Sequence, residues 1–118
     1  MKIELKQQFQ IESARFLPNL PAEHPCRQMH GHSFKITLTL AGEMNQELGW
    51  LIDYNDIVKA MQPLIQQLDH KTLNEIPGLE NPTTENLCVW LYERSRGVLP
   101  LVTRVTISET ASTECSFP

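Results

Sequence analysis

"HSFKITLTLAG", residues 32–42, alternates apolar and polar side chains and sets the architecture of the chain. His32, Phe34, Ile36, Leu38 and Leu40 fall on even positions, and Lys35, Thr37 and Thr39 on odd ones. Successive side chains of a strand point to opposite faces, so this stretch predicts a strand with its even face inward, closed by Gly42.

Upstream the phase is reversed. Ile3, Leu5, Phe9 and Ile11 lie on odd positions against Lys2, Glu4, Lys6, Gln8, Gln10 and Glu12. That is a second half-buried strand, odd face inward, and a loop marked by Pro18, Pro21 and Pro25 separates the two. Downstream the period changes. Ile57, Met61, Leu64, Ile65 and Leu68 predict a helical stripe with Asp53 as N-cap, and Pro63 weakens it as an interior helix breaker. After a loop with Pro77, Gly78 and Pro82, "PTTENLCVWLYERSRG" predicts a second helix. Thr83 or Thr84 caps it, Glu85 sits in its first turn, and Gly97 ends it; Leu87, Trp90, Leu91 and Arg94 lie along one stripe. Leu101, Thr103, Val105 and Ile107 then alternate with Val102, Arg104, Thr106 and Ser108, and a short strand follows to Phe117. The order ββααββ predicts an α+β fold with a four-stranded antiparallel sheet and two helices.

At 118 residues and 41% hydrophobic, the sequence reads as a single domain, 1–118, with a core small enough to favour oligomers. The net charge is −4 and the basic residues are scattered, which argues against nucleic acid and a polybasic membrane patch as partners. No run approaches the roughly eighteen apolar residues of a spanning helix, and MKIELKQQFQ lacks a secretory core. Cys26, Cys88 and Cys115 are an odd number without framework spacing, which predicts a reducing cytoplasm.

"CRQMHGHSF", residues 26–34, gathers chemistry at the head of the second strand. His30 and His32 share a strand face, and it is the inward one. Two imidazoles there suit a transition metal such as zinc, with Gly31 allowing close backbone approach; the bland alternative is a turn with two exposed histidines. Cys26 reads as a ligand, a proton-moving thiol or an ordinary small residue. Asp69 beside His70 has the makings of a tautomer-fixing pair, although adjacent residues do not naturally face each other. Glu109 shares parity with Val105 and Ile107. It reads equally as an exposed residue past the strand or as a carboxylate for a ligand with two parallel N–H groups, as in a pterin or guanine.

Taken together, "CRQMHGHSF", "GWLIDYNDI", "LDHKTLNEIPGLENPTTENL" and "ISET" resemble the 6-pyruvoyltetrahydropterin synthase / 6-carboxytetrahydropterin synthase (QueD) family over nearly the whole chain. "LNEIPGLENPTTEN" resembles the bacterial 6-carboxytetrahydropterin synthases in particular. The resemblance implies a T-fold (tunnelling fold) subunit, three of which close a barrel and two trimers of which stack as a homo-hexamer, with sites between subunits. It implies conversion of 7,8-dihydroneopterin triphosphate to 6-carboxy-5,6,7,8-tetrahydropterin, acetaldehyde and triphosphate, on the way to queuosine and other 7-deazapurines. A sibling eliminase giving 6-pyruvoyl tetrahydropterin, side-chain cleavage to a simpler pterin, and a metal-poor pterin-binding paralogue remain as alternatives. By position, His30 and His32 match two of three zinc ligands, Cys26 the catalytic thiol, and Asp69 and His70 its proton relay. Glu109 matches the pterin-anchoring carboxylate, and Thr83 and Thr84 the helix-start residues near the pterin. At the third ligand position the chain departs from the family: Arg15 stands in "ESARFLP". A guanidinium cannot ligate zinc and instead attracts an anion such as the triphosphate. His24 is the nearest candidate for a replacement ligand.

Overall fold

The two alternating stretches pair with each other along their full length. In the computed structural model, which describes Met1–Pro118, strand β1 (Lys2–Arg15) lies antiparallel to β2 (His30–Glu43). The ladder runs from Lys2 opposite Glu43 to Arg15 opposite His30. Opposite phases in sequence thus become a single face in space: Leu5 meets Leu40, Phe9 meets Ile36, and Ile11 meets Phe34. β3 (Val102–Thr110) and β4 (Thr113–Phe117) complete an antiparallel sheet in the order β1-β2-β3-β4. The expected ββααββ order holds.

Helices α1 (Tyr54–Leu68) and α2 (Thr84–Val98) cover the apolar face. Ile57, Met61, Leu68, Leu87, Trp90 and Leu91 join the strand residues in one core. Asp53 caps α1 by accepting from the Asn55 N–H at 2.9 Å, as its position predicts. Pro63 does not divide the helix. It lies on the exposed side, where the Lys59 carbonyl deprived of its partner is left to water. Thr83, not Thr84, caps α2 through the Asn86 N–H at 3.1 Å. Gly97 is not its terminus: the helix continues to Val98, and the Leu99 N–H closes it on the Ser95 carbonyl at 2.7 Å.

Two strand details depart from simple alternation. Thr39 pairs with Arg104 but Leu40 pairs with Val102, so Thr103 is an extra, bulged residue. The bulge reverses the phase of β3, burying Val102 completely and leaving Thr103 outside, against expectation. Gly42 does not close β2, which runs to Glu43. It serves a close approach instead, since a Cβ there would stand 2.9 Å from Leu51 Cδ1.

The chain extends 58 × 26 × 20 Å. Its radius of gyration is 15.7 Å, against roughly 13.5 Å for a compact domain of this length. The excess comes from a long sheet that outruns the helices. At one end the inward ladder turns from apolar to polar: beyond Ile11–Phe34 come Ser13–His32 and then Arg15–His30.

Candidate functional site

Arg15 dominates that polar end. It is 5% exposed, in register with His30, and its guanidinium lies 5.1 Å from the centre of the Phe34 ring. One terminal nitrogen donates to Glu109 Oε1 at 2.5 Å and the other to the Pro82 carbonyl at 3.1 Å. Glu109 extends the inward face of β3 past Val105 and Ile107, so its parity puts it inward and not exposed past the strand. Thr84, in the first turn of α2, donates its hydroxyl to the same Oε1. Burial pushes the Glu109 carboxyl up, but the Thr84 and Arg15 hydrogen bonds and the Arg15 charge outweigh it and hold the group below the usual range. Oε2 accepts no hydrogen bond; His32 Nε2 stands 4.0 Å from it. Burial, the Arg15 charge and the neighbouring His30 depress the His32 pKa against the opposing pull of Glu109.

His30 and His32 meet edge-on, ring centres 4.7 Å apart. His30 Nδ1 lies 2.7 Å from the Gln28 carbonyl, which only accepts, so the neutral ring carries its proton on Nδ1. Its Nε2 lone pair is buried and without a partner. A metal-binding histidine is oriented in the same way, one ring nitrogen on a carbonyl and the other left free. A catalytic zinc nevertheless takes three protein ligands. Glu109 Oε2 comes within 4.0 Å of His32, but its other oxygen is held by Arg15 and Thr84. No three such side chains are placed to hold one metal ion, and the residue aligned with His30 is a permanent cation. These residues do not fit the three-ligand zinc site that the resemblance implies. His24 does not stand in: it is exposed, and its Nδ1 accepts the Cys26 N–H at 3.1 Å to cap the turn Pro25–Arg27. Nor does Gly31 relieve a tight approach, since a Cβ there would sit 3.9 Å from the Ser13 carbonyl.

Cys26 sits in that turn, half-buried, tied to the end of β1 by the Leu17 N–H on its carbonyl at 2.8 Å. All three cysteines are unpaired. Cys88 is an inert core residue whose thiol burial pushes up to about 12.

Asp69 and His70 do face each other, although neighbours in sequence ordinarily do not. His70 adopts φ +57°, which brings its Nδ1 to 3.0 Å from Asp69 Oδ2. The β1 edge holds this turn: the Glu12 N–H donates to Asp69 Oδ1 at 2.8 Å, and the His70 N–H donates to the Glu12 carbonyl at 2.6 Å. The Glu12 amide is the main cause that holds Asp69 below the usual carboxylate range. Sequence reasoning missed Glu12, whose side chain takes hydrogen bonds from Ser33 at 2.5 Å and Gln10 at 2.9 Å. It also missed Asn74, which brackets Phe16 by bonding its N–H at 3.0 Å and its carbonyl at 2.8 Å. Neither carries a sequence signal, because Glu12 braces the Asp69–His70 turn through its own backbone and Asn74 bonds backbone far away along the chain.

The fold therefore gathers Arg15, His30, His32, Thr84 and Glu109 in one cluster and sets the Asp69–His70 pair at the β1 edge. His32 and His70 line a common open cleft of about 480 Å³ with Glu12, Gly31, Ser33 and Thr72. No hydrogen bond joins Cys26 to either group within the chain.

Comparison with known proteins fits this layout. The sequence pattern of the 6-pyruvoyl tetrahydropterin synthase family matches residues 4–118. A 6-carboxy-5,6,7,8-tetrahydropterin synthase of Synechocystis is 30% identical over 116 residues, covering 93% of this chain and 88% of that protein. A dihydroneopterin monophosphate aldolase of Pyrococcus furiosus is 37% identical over 73 residues, 62% of this chain and 60% of its own length. In structure, the Caenorhabditis elegans 6-pyruvoyl tetrahydropterin synthase superposes with a TM-score of 0.91 at 20% identity, over 99% of this chain and 95% of that one. The fold is that of the T-fold synthases, and the chain belongs to the 6-pyruvoyl tetrahydropterin synthase family.

Proposed function

We propose that this member of the family is a carbon–carbon lyase of the 6-carboxy-5,6,7,8-tetrahydropterin synthase type. It takes 7,8-dihydroneopterin triphosphate to the carboxylated pterin with loss of acetaldehyde and triphosphate, early in queuosine and 7-deazapurine synthesis. The observation that carries the reading is the Asp69–His70 pair, 3.0 Å apart in a strained turn held by Glu12. A pterin-binding protein without chemistry has no use for a fixed imidazole; a proton relay does. The near full-length likeness to the Synechocystis synthase supports the same substrate class.

In this reading Glu109 anchors the pterin, offering the free Oε2 and a shared Oε1 to its parallel N–H donors. Thr84 orients that carboxylate, and Thr83 holds the start of α2 that carries it. Asp69 keeps the His70 proton on Nδ1, so Nε2 is the base. Cys26 exchanges protons with the substrate side chain. Arg15 adds a permanent cation where negative charge arrives with the triphosphate. His30 and His32 act as hydrogen-bonding imidazoles rather than as two parts of a zinc centre.

Cys26 and the His70 pair then meet across subunits. Three copies closing a barrel, and two barrels stacked as a hexamer, also give the over-long sheet and its open β1 and β4 edges partners. No helix is long and apolar enough to cross a membrane. Three unpaired cysteines suit the cytoplasm.

A second reading is favoured by the Pyrococcus relative: aldol-type cleavage of the side chain to a simpler pterin. Mass spectrometry of products from 7,8-dihydroneopterin triphosphate, with added zinc and with chelator, separates the readings. Carboxytetrahydropterin with chelator present is the expected result. A hydroxymethyl pterin assigns the aldolase, a pyruvoyl pterin the eliminase, and unchanged substrate in both arms a binding paralogue.

A further inference from the structure

We propose that Arg15 and His30 form a metal-free clamp for one side-chain hydroxyl of the bound pterin. This deepens the reading above and rests on it. Two buried side-chain polar atoms have no hydrogen-bond partner anywhere in the chain: Arg15 Nε and His30 Nε2. Their residues are direct cross-strand partners in the β1–β2 ladder, on the inward face. Side chains so paired start about 4.5–5.5 Å apart at Cβ.

The two atoms are complementary in kind. Arg15 Nε carries a proton at any working pH and only donates. In the neutral ring His30 Nε2 accepts, because the Gln28 carbonyl, 2.7 Å from Nδ1, takes the ring proton there. A hydroxyl is the small group that accepts one hydrogen bond and donates another. A ketone or ether oxygen satisfies only Arg15, and an ammonium only His30. A divalent cation would take the His30 lone pair but would lie beside a guanidinium that is 5% exposed and already committed to Glu109 and Pro82.

Arg15 also joins recognition of the two ends of the ligand. Its terminal nitrogens hold Glu109 and the Pro82 carbonyl, and its Nε is left without a partner on a residue in register with His30. The pterin anchor and the side-chain clamp thereby share one rigid group. The site selects pterins with a hydroxylated substituent, and does so without metal.

Calorimetric titration of the zinc-free protein in chelator, with neopterin and with 6-methylpterin, tests this. Neopterin is expected to bind about ten-fold more tightly, the worth of about one good hydrogen-bond pair. Arg15→Lys keeps the charge beside Glu109 but removes the Nε–H, and His30→Phe removes the acceptor. Each is expected to abolish the neopterin preference, read as the ratio of the two affinities. His30→Phe leaves 6-methylpterin unchanged, whereas Arg15→Lys weakens both pterins together because Arg15 also holds Glu109. Equal affinities in the unaltered protein would mean that a water satisfies both atoms, and would overturn the clamp. A preference that appears only with added zinc would overturn it too, as would one that survives both substitutions. Failure of both pterins to bind would sink the pterin reading along with the clamp, whereas turnover without hydroxyl preference would sink the clamp alone.

Discussion

The two polar clusters at the end of the sheet are built by opposite means. The inward cluster is closed: the Arg15 and Glu109 side chains are 6% and 16% exposed and hold each other through charge. The edge cluster is open, with His70 at 77% and Asp69 at 33%, and main-chain bonds from Glu12 hold it. Buried charges are costly to change singly, because removing one strands the other in a low-dielectric interior. An exposed pair held through its backbone can lose or gain a proton with little penalty to the fold. The first arrangement suits recognition and the second proton transfer.

That contrast is open to breakage. His70→Asn tolerates the left-handed turn but cannot act as a base. It should lower turnover about a thousand-fold, within the range of general acid–base catalysis, with the melting temperature nearly unchanged. Steady-state product formation and calorimetry check both halves. Unimpaired turnover would reduce the pair to a structural turn.

Arg15→Met should do the reverse and damage the fold first. Stranding Glu109 should cost about 3 kcal/mol in urea unfolding, and adding Glu109→Gln should restore more than half of that. Equal losses in the single and double variants would show the pair to be uncoupled.

The pH dependence sharpens the comparison further. Glu109 is depressed below its ordinary value of 4.5, so its contribution is present above that pH. It is lost as pH falls through the depressed folded value. Melting temperature followed from pH 7 down to pH 3 should fall on this limb, and Glu109→Gln should flatten it. The smallest expected effect separates the two threonines. Thr83→Ala should cost about 1 kcal/mol of stability as a lost cap while leaving pterin affinity unchanged. A loss of affinity in that variant would move Thr83 into the ligand site.

Much of the site was legible locally. The parity of His30, His32 and Arg15 follows from strand alternation, which is set by the backbone and survives into the fold. Glu109 kept its inward parity because the bulge in β3 falls earlier, at Thr103. The same bulge spoiled the reading of Val102, since one extra residue inverts every side chain on one side of it. The objection to Asp69 and His70 as a pair failed for a tertiary reason. The turn that joins them is paid for by bonds to Glu12, far away in sequence. Pro63 and Gly97 were misjudged because propensity says nothing of which helix face meets water.

By itself, then, the sequence determined the strands, the capped helices and the roster of reactive side chains, because periodicity and capping are short-range properties of the chain. Only the tertiary structure decided who meets whom. Arg15 and Glu109, ninety-four residues apart, become an ion pair, and Glu12 becomes the brace of His70. Those pairings depend on ladder register and on how the helices seat on the sheet. Both are set by packing of the whole core rather than by any local stretch.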